Sequence, residues 1–503
     1  MQQTNDTSDA GDNASCVTKV PEFIGPHPNP VKIVAASILK PSDRTAPIFV
    51  GDDGYGAILD AVGVFGRHFH VPVAVEKALG ANDLEYLRIK GCFTLPTASR
   101  ELIEAYFHYV HPSFPVIDGP AFLHDYATKG LEGVNLLLLW SMFSISASYI
   151  PEYSHQTIKQ EFINRGKLLF DLSEETDKIV LVQSALLLSF WFADAEDVKQ
   201  SWYWTSIAFG IAQTLGLHSV TRGSLTEPQQ SYWRTIWRCC IIRDVWLAFG
   251  MGRPLRIIEA DGEYENVDCG FQEMVLHGEP TYSEDEVVGL GAMWQTLVTA
   301  TNVLRGLLTA KNISPTKMKE LQDQTTIYGA NTSTRLLVHF NWHLQLHLSA
   351  VSIALARVTN KGGLRRASND ITNYIEFFLN GKMDSNPAPT TIPLIVLGMV
   401  VYLTDTKSKS ADLRKSGNEK LEVFIQYLTK IEGNYPAASI LKKVFATVRE
   451  EMSDNETELA MGVVGEAFSA YPWNLNWPIT TRLESMADPK VQHFLQERTP
   501  FYC

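Results

Sequence analysis

The sequence predicts an all-α protein that forms a single large, irregular multi-helix domain. Three observations support this prediction: apolar residues recur at helical spacing along most of the chain, strand-type alternation is nearly missing, and no repeat of fixed length is present. The 503 residues are 45% hydrophobic and 20% charged, which is the composition of a globular protein with a large core.

Composition divides the chain into four parts. Residues 1–48 are rich in Asp, Asn, Ser, Thr and Pro without sustained periodicity, which predicts a disordered or loosely packed arm. Residues 49–98 form a segment of mixed secondary structure. Residues 99–480 form the all-helical domain, and residues 481–503 form a C-terminal tail.

The first clear helix follows a capping residue. Thr97 or Ser99 is a suitable N-cap, and this helix ends near His111. Two apolar runs, Val134–Ile150 and Ile392–Leu403, are too short to span a membrane, so we interpret them as core helices. Further helices are predicted near residues 135–150, 157–172, 179–193, 284–310, 333–358, 369–380, 390–404, 414–431 and 437–450.

Two aromatic-rich helices follow one another in the middle of the chain, at Trp202–His218 and Ser231–Ile258. In the first, Trp204 belongs to an apolar stripe, and Gly216 has the position of a left-handed C-cap. In the second, Trp237 belongs to a wide apolar face. Each helix therefore needs a packing partner.

The sequence predicts where the second helix begins and where it ends. Residues Thr226–Gln229 form a capping box with proline in the first turn, which predicts that a helix begins there. Gly250 and Gly252 predict that it ends before Pro254.

The second helix also carries a carboxylate on its apolar face. Asp244 follows Ile241 and Cys240 by three and four residues, so its side chain is predicted to point towards the core, where it needs a partner. We expect Arg253 to fold back and form a buried ion pair with it, whereas Arg243 precedes it. The predicted role is architectural, because buried ion pairs more often fix geometry than do chemistry.

This pair of helices resembles the centre of the regulatory domain, or middle homology region, of fungal zinc-cluster transcription factors. The run ELIEAYFHYVHPSFPVID, from Glu101, resembles the opening of that domain, and the flanking chain is similar to the cutinase transcription factor subgroup. The resemblance spans about residues 49–480 and implies a nuclear protein that regulates transcription. The residues that match the family motif, with structural roles, are Trp204, Gly216, His218, Trp237, Arg243, Asp244, Gly252, Arg253 and Pro254.

The zinc cluster of that family is expected to be missing. Such a cluster needs closely spaced cysteines with two Cys-x-x-Cys pairs, and no two cysteines of this sequence have that spacing. A formal charge of -13 further predicts weak or no direct DNA binding by this chain. The six cysteines, expected to be reduced thiols, are Cys16, Cys92, Cys239, Cys240, Cys269 and Cys503.

The resemblance leaves two hypotheses open. In the first, the chain regulates transcription through other transcription regulators or coregulators, with a small-molecule effector as a further option. It then either has no zinc cluster or comes from a truncated gene sequence. In the second, it is a helical small-molecule-binding protein or enzyme derived from the same fold. Without a secretory signal or a membrane span, it is expected in the nucleus, with the cytoplasm as an alternative.

Catalytic and cofactor motifs are not found. The sequence has no phosphate loop, no Gly-x-Ser-x-Gly elbow and no dinucleotide fingerprint. Asp52 and Asp53 lie in a glycine-rich turn, not on a helix as the metal site of a terpene-cyclase-like enzyme would require. We therefore expect no enzymatic activity, no catalytic residue and no cofactor.

Three histidines at four-residue spacing, His339, His343 and His347, share one edge of a predicted helix. Phe340 occupies the place where a zinc protease has its glutamate, and no carboxylate or cysteine is suitably placed nearby. We interpret the histidines as rim residues beside an apolar stripe, and we expect no bound metal.

Two short segments carry regulatory signals. Ser368 follows Arg365 and Arg366 in a pattern that weakly resembles a kinase site, but it is also a suitable cap for the helix that runs to Leu379. Residues 450–478 mix acidic and aromatic side chains, as activation segments do. We favour the alternative that these aromatic residues dock onto the helical domain.

Overall fold

The computed structural model describes residues 45–51, 68–74, 80–172, 177–191, 200–218, 227–257, 269–309, 334–359, 363–383 and 385–451. The predictions for the N-terminal arm before residue 45, for Asp52 and Asp53, for the acidic and aromatic segment beyond residue 451, and for the C-terminal tail lie outside these residues.

Helices dominate the described residues, and the all-α prediction is confirmed. Two strand pairs accompany them, both antiparallel: β1 (Thr45–Gly51) with β2 (His68–Ala74), and β3 (Val275–Leu276) with β4 (Glu279–Pro280). The helices are α1 (Ala81–Ile89), α2 (Ser99–Tyr109), α3 (Gly119–Lys129), α4 (Leu136–Ser146), α5 (Gln156–Leu172), α6 (Lys178–Leu188), α7 (Ser201–Leu215), α8 (Glu227–Met251), α9 (Glu284–Thr309), α10 (Arg335–Thr359), α11 (Leu364–Leu379), α12 (Thr391–Thr406), α13 (Ala411–Ile431) and α14 (Pro436–Glu451).

Sequence periodicity located most of these helices to within a few residues. It missed α1 and α3, which are short and have few apolar positions. The predicted cap of α2 is wrong: the N-cap residue is Ala98, and the hydroxyl of Ser99 donates to the carbonyl of Pro96. Helix α11 begins at Leu364, one turn before the predicted start.

Helix α8 lies at the centre of the described structure, where it packs against α6, α7, α9 and α12. On one side, α4 packs against α2, α5 and α6, and α6 packs against α7. On the other side, α10 packs against α9, α11 and α12, and α12 against α13. The buried apolar side chains form one continuous core, so α8 joins the two groups of helices.

Helix α4 shows why the apolar runs belong to the core. Ten of its residues are buried, including Ser141, Ser144 and Ser146. Their hydroxyls donate to backbone carbonyls one turn earlier, at 2.8, 2.7 and 3.0 Å. Because these bonds satisfy the hydroxyls inside the helix, it can be enclosed on every side.

One described helix, α9 (Glu284–Thr309), is long and apolar enough to cross a membrane on length and composition alone. It packs against α8 and α10, and its residues Leu290, Trp294 and Leu304 are buried. The core helix of a globular protein satisfies the same criteria, since both hide apolar surface from water.

Glycine permits close packing between α12 and α13. A Cβ atom at Gly417 would lie 2.9 Å from the backbone nitrogen of Thr406 and 2.9 Å from the backbone oxygen of Tyr402. Backbone atoms cannot turn aside as a flexible side chain can, so the two helices would have to separate.

We therefore expect Gly417→Ala to lower the free energy of unfolding by about 1–3 kcal/mol through overpacking. Gly291→Ala is the matched control, because Gly291 lies inside α9 with no atom within 4 Å of the added Cβ. There, alanine should stabilise the helix by about 0.5–1 kcal/mol. Urea denaturation of both variants measures the difference, and equal effects would contradict the prediction.

Candidate functional site

Tryptophans anchor the contact between α7 and α8. Trp204 and Trp237 are almost completely buried, and the ring centroids of Phe209 and Trp237 are 5.3 Å apart in an edge-to-face arrangement. Because large aromatic rings bury much apolar area in a fixed geometry, they hold the two helices in one register.

The predicted left-handed cap of α7 is confirmed. Gly216 has φ 76° and is the C-cap residue, and the amide of Leu217 donates to the carbonyl of Ala212 at 3.0 Å. His218 follows, with its ring 5.9 Å from that of Trp237. After the cap, the chain therefore lies against α8 at Trp237. The Thr226 end of the predicted capping box lies outside the described residues, and α8 begins at Glu227.

The two glycines near the end of α8 have different roles. Gly252 follows the last helical residue with φ 68°, as expected for a helix stop. The prediction that the helix ends before Pro254 is confirmed, because its last residue is Met251, although Gly250 is still helical. A Cβ at Gly250 would lie 2.8 Å from the Cβ of Pro393 in α12. Gly250 therefore allows α8 and α12 to approach closely.

Asp244 is buried as predicted, but its partner is Arg256 and not Arg253. The Arg256 guanidinium forms an ion pair with Oδ1 of Asp244, and the Arg256 backbone N–H donates to Oδ2 at 3.0 Å. The expected Asp244–Arg253 pair is wrong because Arg253 and Pro254 are exposed after the helix ends, whereas the following residues are half-buried and Arg256 reaches the carboxylate.

Arg256 also binds α7, so the ion pair connects two helices and a loop. Its Nη2 donates to the carbonyl of Trp202 at 2.7 Å and to Oγ of Ser206 at 2.8 Å, and its guanidinium lies 3.6 Å from the Trp202 ring centroid. Arg253 is exposed and lies 5.1 Å from the same ring. We call Asp244, Arg256, Trp202 and Ser206 the Asp244 cluster. Burial raises the pKa of Asp244, and Arg256 opposes that rise.

Arg243, the neighbour of Asp244 along the chain, binds a different helix. Its Nε donates to Oγ of Ser189 at 2.7 Å, and its Nη2 donates to the carbonyl of the same residue. Ser189 is the C-cap of α6, where the helix dipole favours a cation. Burial lowers the pKa of Arg243 to about 9. Arg243 therefore holds α6 against α8, and the adjacent Asp244 holds α7 against α8 through Arg256.

The three histidines of α10 are buried, so the prediction that they are rim residues is wrong. Tight packing of α10 against α9, α11 and α12 encloses them. They line a cavity of about 50 Å³ between the end of α2, α9, α10 and the segment before α12. We call it the histidine cavity, and its aromatic lining is Tyr109, Trp294, His339, Phe340, His343 and His347.

Hydrogen bonds define the tautomer of His343. The backbone N–H of Ala388 donates to Nε2 of His343 at 2.8 Å, so Nε2 is an acceptor and Nδ1 carries the proton. Nδ1 then donates to the carbonyl of His339 at 2.9 Å. Burial lowers the pKa of His343 to about 3 and that of His347 to about 4.

These bonds leave no shared metal site on α10. Nδ1 of His347 donates to the carbonyl of His343 at 2.7 Å, and both ring nitrogens of His343 are already used. Within the described residues, no group of three histidine, cysteine or acidic side chains is close enough to hold a metal ion.

Ser368 lies inside α11, not at its start. The side chain is completely buried, and the hydroxyl donates to the carbonyl of Leu364 at 2.9 Å. The predicted cap is therefore wrong, because α11 begins one turn earlier. The same burial opposes phosphorylation of the folded protein, since a kinase needs the hydroxyl to be accessible. Arg365 instead forms an ion pair with Asp405 of α12 at 2.7 Å.

Comparison with known proteins identifies the centre of this fold. Residues 103–299 match the family described as the fungal specific transcription factor domain. This central part of the chain is therefore similar to a fungal transcription factor domain. The matched residues run from α2 into α9 and include the Asp244 cluster. The family and the relatives described next are transcription factors and regulatory proteins, not enzymes.

Several curated fungal proteins are similar to this transcription factor domain. Cutinase transcription factor 1 beta of Fusarium vanettenii is 37% identical over 196 residues, which cover 36% of this chain and 22% of the relative. Cutinase transcription factor 1 alpha of the same fungus is 32% identical over 36% of this chain and 21% of the relative. The acetamidase regulatory protein of Emericella nidulans is 33% identical over 32% of this chain and 21% of the relative. The matches therefore span about a fifth of these relatives.

Sequence reasoning missed Arg256 and Trp202 in the Asp244 cluster and Trp294 in the histidine cavity. Arg256 carried a weak signal, since it is the second arginine after the glycine stop. Trp294 carried no separate signal, because its position in the apolar stripe of α9 is that of any core residue.

We expect Asp244→Ala to lower the free energy of unfolding by about 2–4 kcal/mol, because it leaves Arg256 without its carboxylate. This is below the full cost for a completely buried pair, since 14% of the Arg256 side chain is exposed. Arg253→Ala is the matched control. It should lower the free energy of unfolding by less than about 1 kcal/mol, because the Arg253 side chain is exposed. Urea denaturation measures both variants. A larger loss of unfolding free energy for Arg253→Ala would contradict the prediction and identify Arg253 as the partner of Asp244.

Acid should destabilise the protein through its buried histidines. His343 and His347 stay neutral in the folded state, whereas the unfolded chain accepts their protons below about pH 6.5. Stability is therefore present above that pH and is lost as the pH falls, by about 1 kcal/mol for each histidine between pH 7 and 5.5. Their imidazole NMR resonances, assigned with His343→Gln and His347→Gln, should not move in this range. Titration above pH 5.5 would contradict the prediction.

Proposed function

We propose that this chain regulates transcription through contacts that its helical domain makes with other transcription regulators or coregulators. The observation that supports the proposal is the match of residues 103–299 to the fungal specific transcription factor domain. Relatives that share this region are transcription factors, and such proteins act in the nucleus. We extend that location to this chain as part of the proposal.

The charges of the chain support partners other than DNA. The formal net charge is -13, and binding to phosphates depends on clustered, accessible cations. Three cations of the described residues are used inside the fold: Arg243 and Arg256 as above, and Lys159, which is buried and donates to the carbonyl of Asn434. These three cations bind groups inside the fold, so they do not contribute to a surface that binds nucleic acid.

The structure also supplies a rigid body for such contacts. The Asp244 cluster and the Arg243–Ser189 contact fix α6, α7 and α8 relative to one another. A surface presented by fixed helices loses little conformational entropy when a partner binds. The proposed role is therefore that of a preformed docking domain.

A tethered reporter assay tests this function. The full chain, fused to an unrelated DNA-binding domain in a fungal host, should change the transcription of a reporter that carries the matching site. Arg253→Ala should retain that effect, because the fold is intact. Asp244→Ala should lose part of it, in proportion to the folded fraction measured by protease resistance.

The purified chain serves as the second arm of this experiment. At about 150 mM salt it should not shift random duplex DNA, because it lacks the net positive charge that such binding requires. Reporter output equal to that of the DNA-binding domain alone would overturn the regulatory role. A DNA shift by the chain alone would overturn the proposed route through protein partners.

A further inference from the structure

Positive charge is concentrated at the turn between α12 and α13 and at the start of α13. Residues 407–415 contain a single acid and four cations, Lys407, Lys409, Arg414 and Lys415, although the whole chain has a formal charge of -13. Lys409, Arg414 and Lys415 are exposed. We call these four cations the basic surface.

Contacts inside the fold leave much of this charge uncompensated. Nη1 of Arg414 donates to two backbone carbonyls of the turn, each at 2.8 Å, which holds the guanidinium beside the turn. Among the residues that the structure describes, no acid forms an ion pair with Lys409 or Lys415. The buried acid just before the turn, Asp405, is already paired with Arg365 of α11 at 2.7 Å. The basic surface therefore suits an acidic partner.

A segment of complementary charge follows α14 in the same chain. Residues 450–481 contain six acids and no Lys or Arg. Three of these acids, Asp454, Glu456 and Glu458, are close together in the sequence and precede the aromatic residues of this segment. Their charge is opposite to that of the basic surface.

The packing of α13 and α14 directs this segment towards the basic surface. Lys442 of α14 forms an ion pair at 2.5 Å with Glu432, at the end of α13. Seven residues further along α14, Arg449 forms an ion pair at 3.2 Å with Glu422, which lies well before the end of α13. The two helices are therefore antiparallel, and α14 runs towards the start of α13.

The distance that remains is short. Lys415 lies seven residues before Glu422, which is two turns and about 10 Å along an α-helix, so both residues are on the same side of α13. The five residues from Arg449 to Asp454 can span up to about 17 Å when extended. The acids can therefore reach Lys415 while the described helices stay in place.

We propose that Asp454, Glu456 and Glu458 bind the basic surface of the same chain. Each contact is an exposed ion pair, which is weak by itself. The connection through α14 gives the acids a high effective concentration at the basic surface, so the weak contacts act together.

This docking regulates access to the acidic and aromatic segment, a role that rests on the proposed regulatory function. Acidic charge mixed with aromatic residues is typical of activation segments. A coregulator that binds the segment through its acids must first displace them from the basic surface. The docked chain therefore binds such a partner more weakly than the undocked chain.

Hydrogen exchange of the full chain, measured by mass spectrometry in peptides that cover residues 409–421, tests the contact. In Asp454→Asn/Glu456→Gln/Glu458→Gln, these amides should exchange about threefold to tenfold faster than in the wild type, as expected for the loss of two or three exposed ion pairs. The difference should shrink at about 0.5 M salt, because salt screens exposed charges. This variant changes no described residue, so the described helices keep their own contacts.

A charge swap separates docking from other effects of these substitutions. Lys409→Glu/Lys415→Glu should also speed exchange, and combining it with Asp454→Lys/Glu456→Lys/Glu458→Lys should restore slow exchange. Lys443→Glu is the matched control, because Lys443 is exposed on α14 and lies outside the basic surface.

Unchanged exchange in the neutral variant, or no recovery in the charge-swapped chain, would overturn the proposal. Protection that appears only after a separate acidic protein or duplex DNA is added would assign the basic surface to that partner and would overturn it as well. Hydrogen exchange needs no reporter, so its outcome is independent of the test of the regulatory function.

Discussion

The buried carboxylate of Asp244 is the constraint on which the centre of this fold depends. A charge in the core must be compensated, and here the compensation comes from a residue of the following loop. Arg256 reaches Asp244 only if the chain turns at Gly252, and its remaining donors then bind α7. One ion pair therefore determines the end of α8, the path of the loop and the position of the neighbouring helix.

Helix positions were predictable because each helix hides an apolar face, and such faces recur at the helical period. The pairing of side chains was less predictable, because it depends on where the chain travels after a helix ends. The sequence favoured Arg253 as the partner of Asp244, and only the structure shows that Arg253 is exposed while Arg256 reaches the carboxylate. The start of α11 was missed for a similar reason, since polar residues such as Arg365 fill its first turn.

The histidines of α10 show the same limit at the histidine cavity. Their spacing fixes the side of the helix on which they lie, but not what covers that side. The partner that fixes the tautomer of His343 is a backbone amide 45 residues away, in the segment before α12. Trp294 lies on another helix, α9, so no local sequence pattern includes all the residues that line the cavity.

The helices within the matched residues do not bury all of their own apolar surface. The match ends at residue 299, within α9, and α10 covers both α9 and the ring of Trp246 on α8. Helix α12 packs against α8 at Gly250, through Pro393. Helices α10 and α12 lie outside the matched residues. They supply the apolar surface against which α8 and α9 are buried. The stable unit among the described residues therefore extends past the family domain, and the histidine cavity lies at that junction, with one wall from each part.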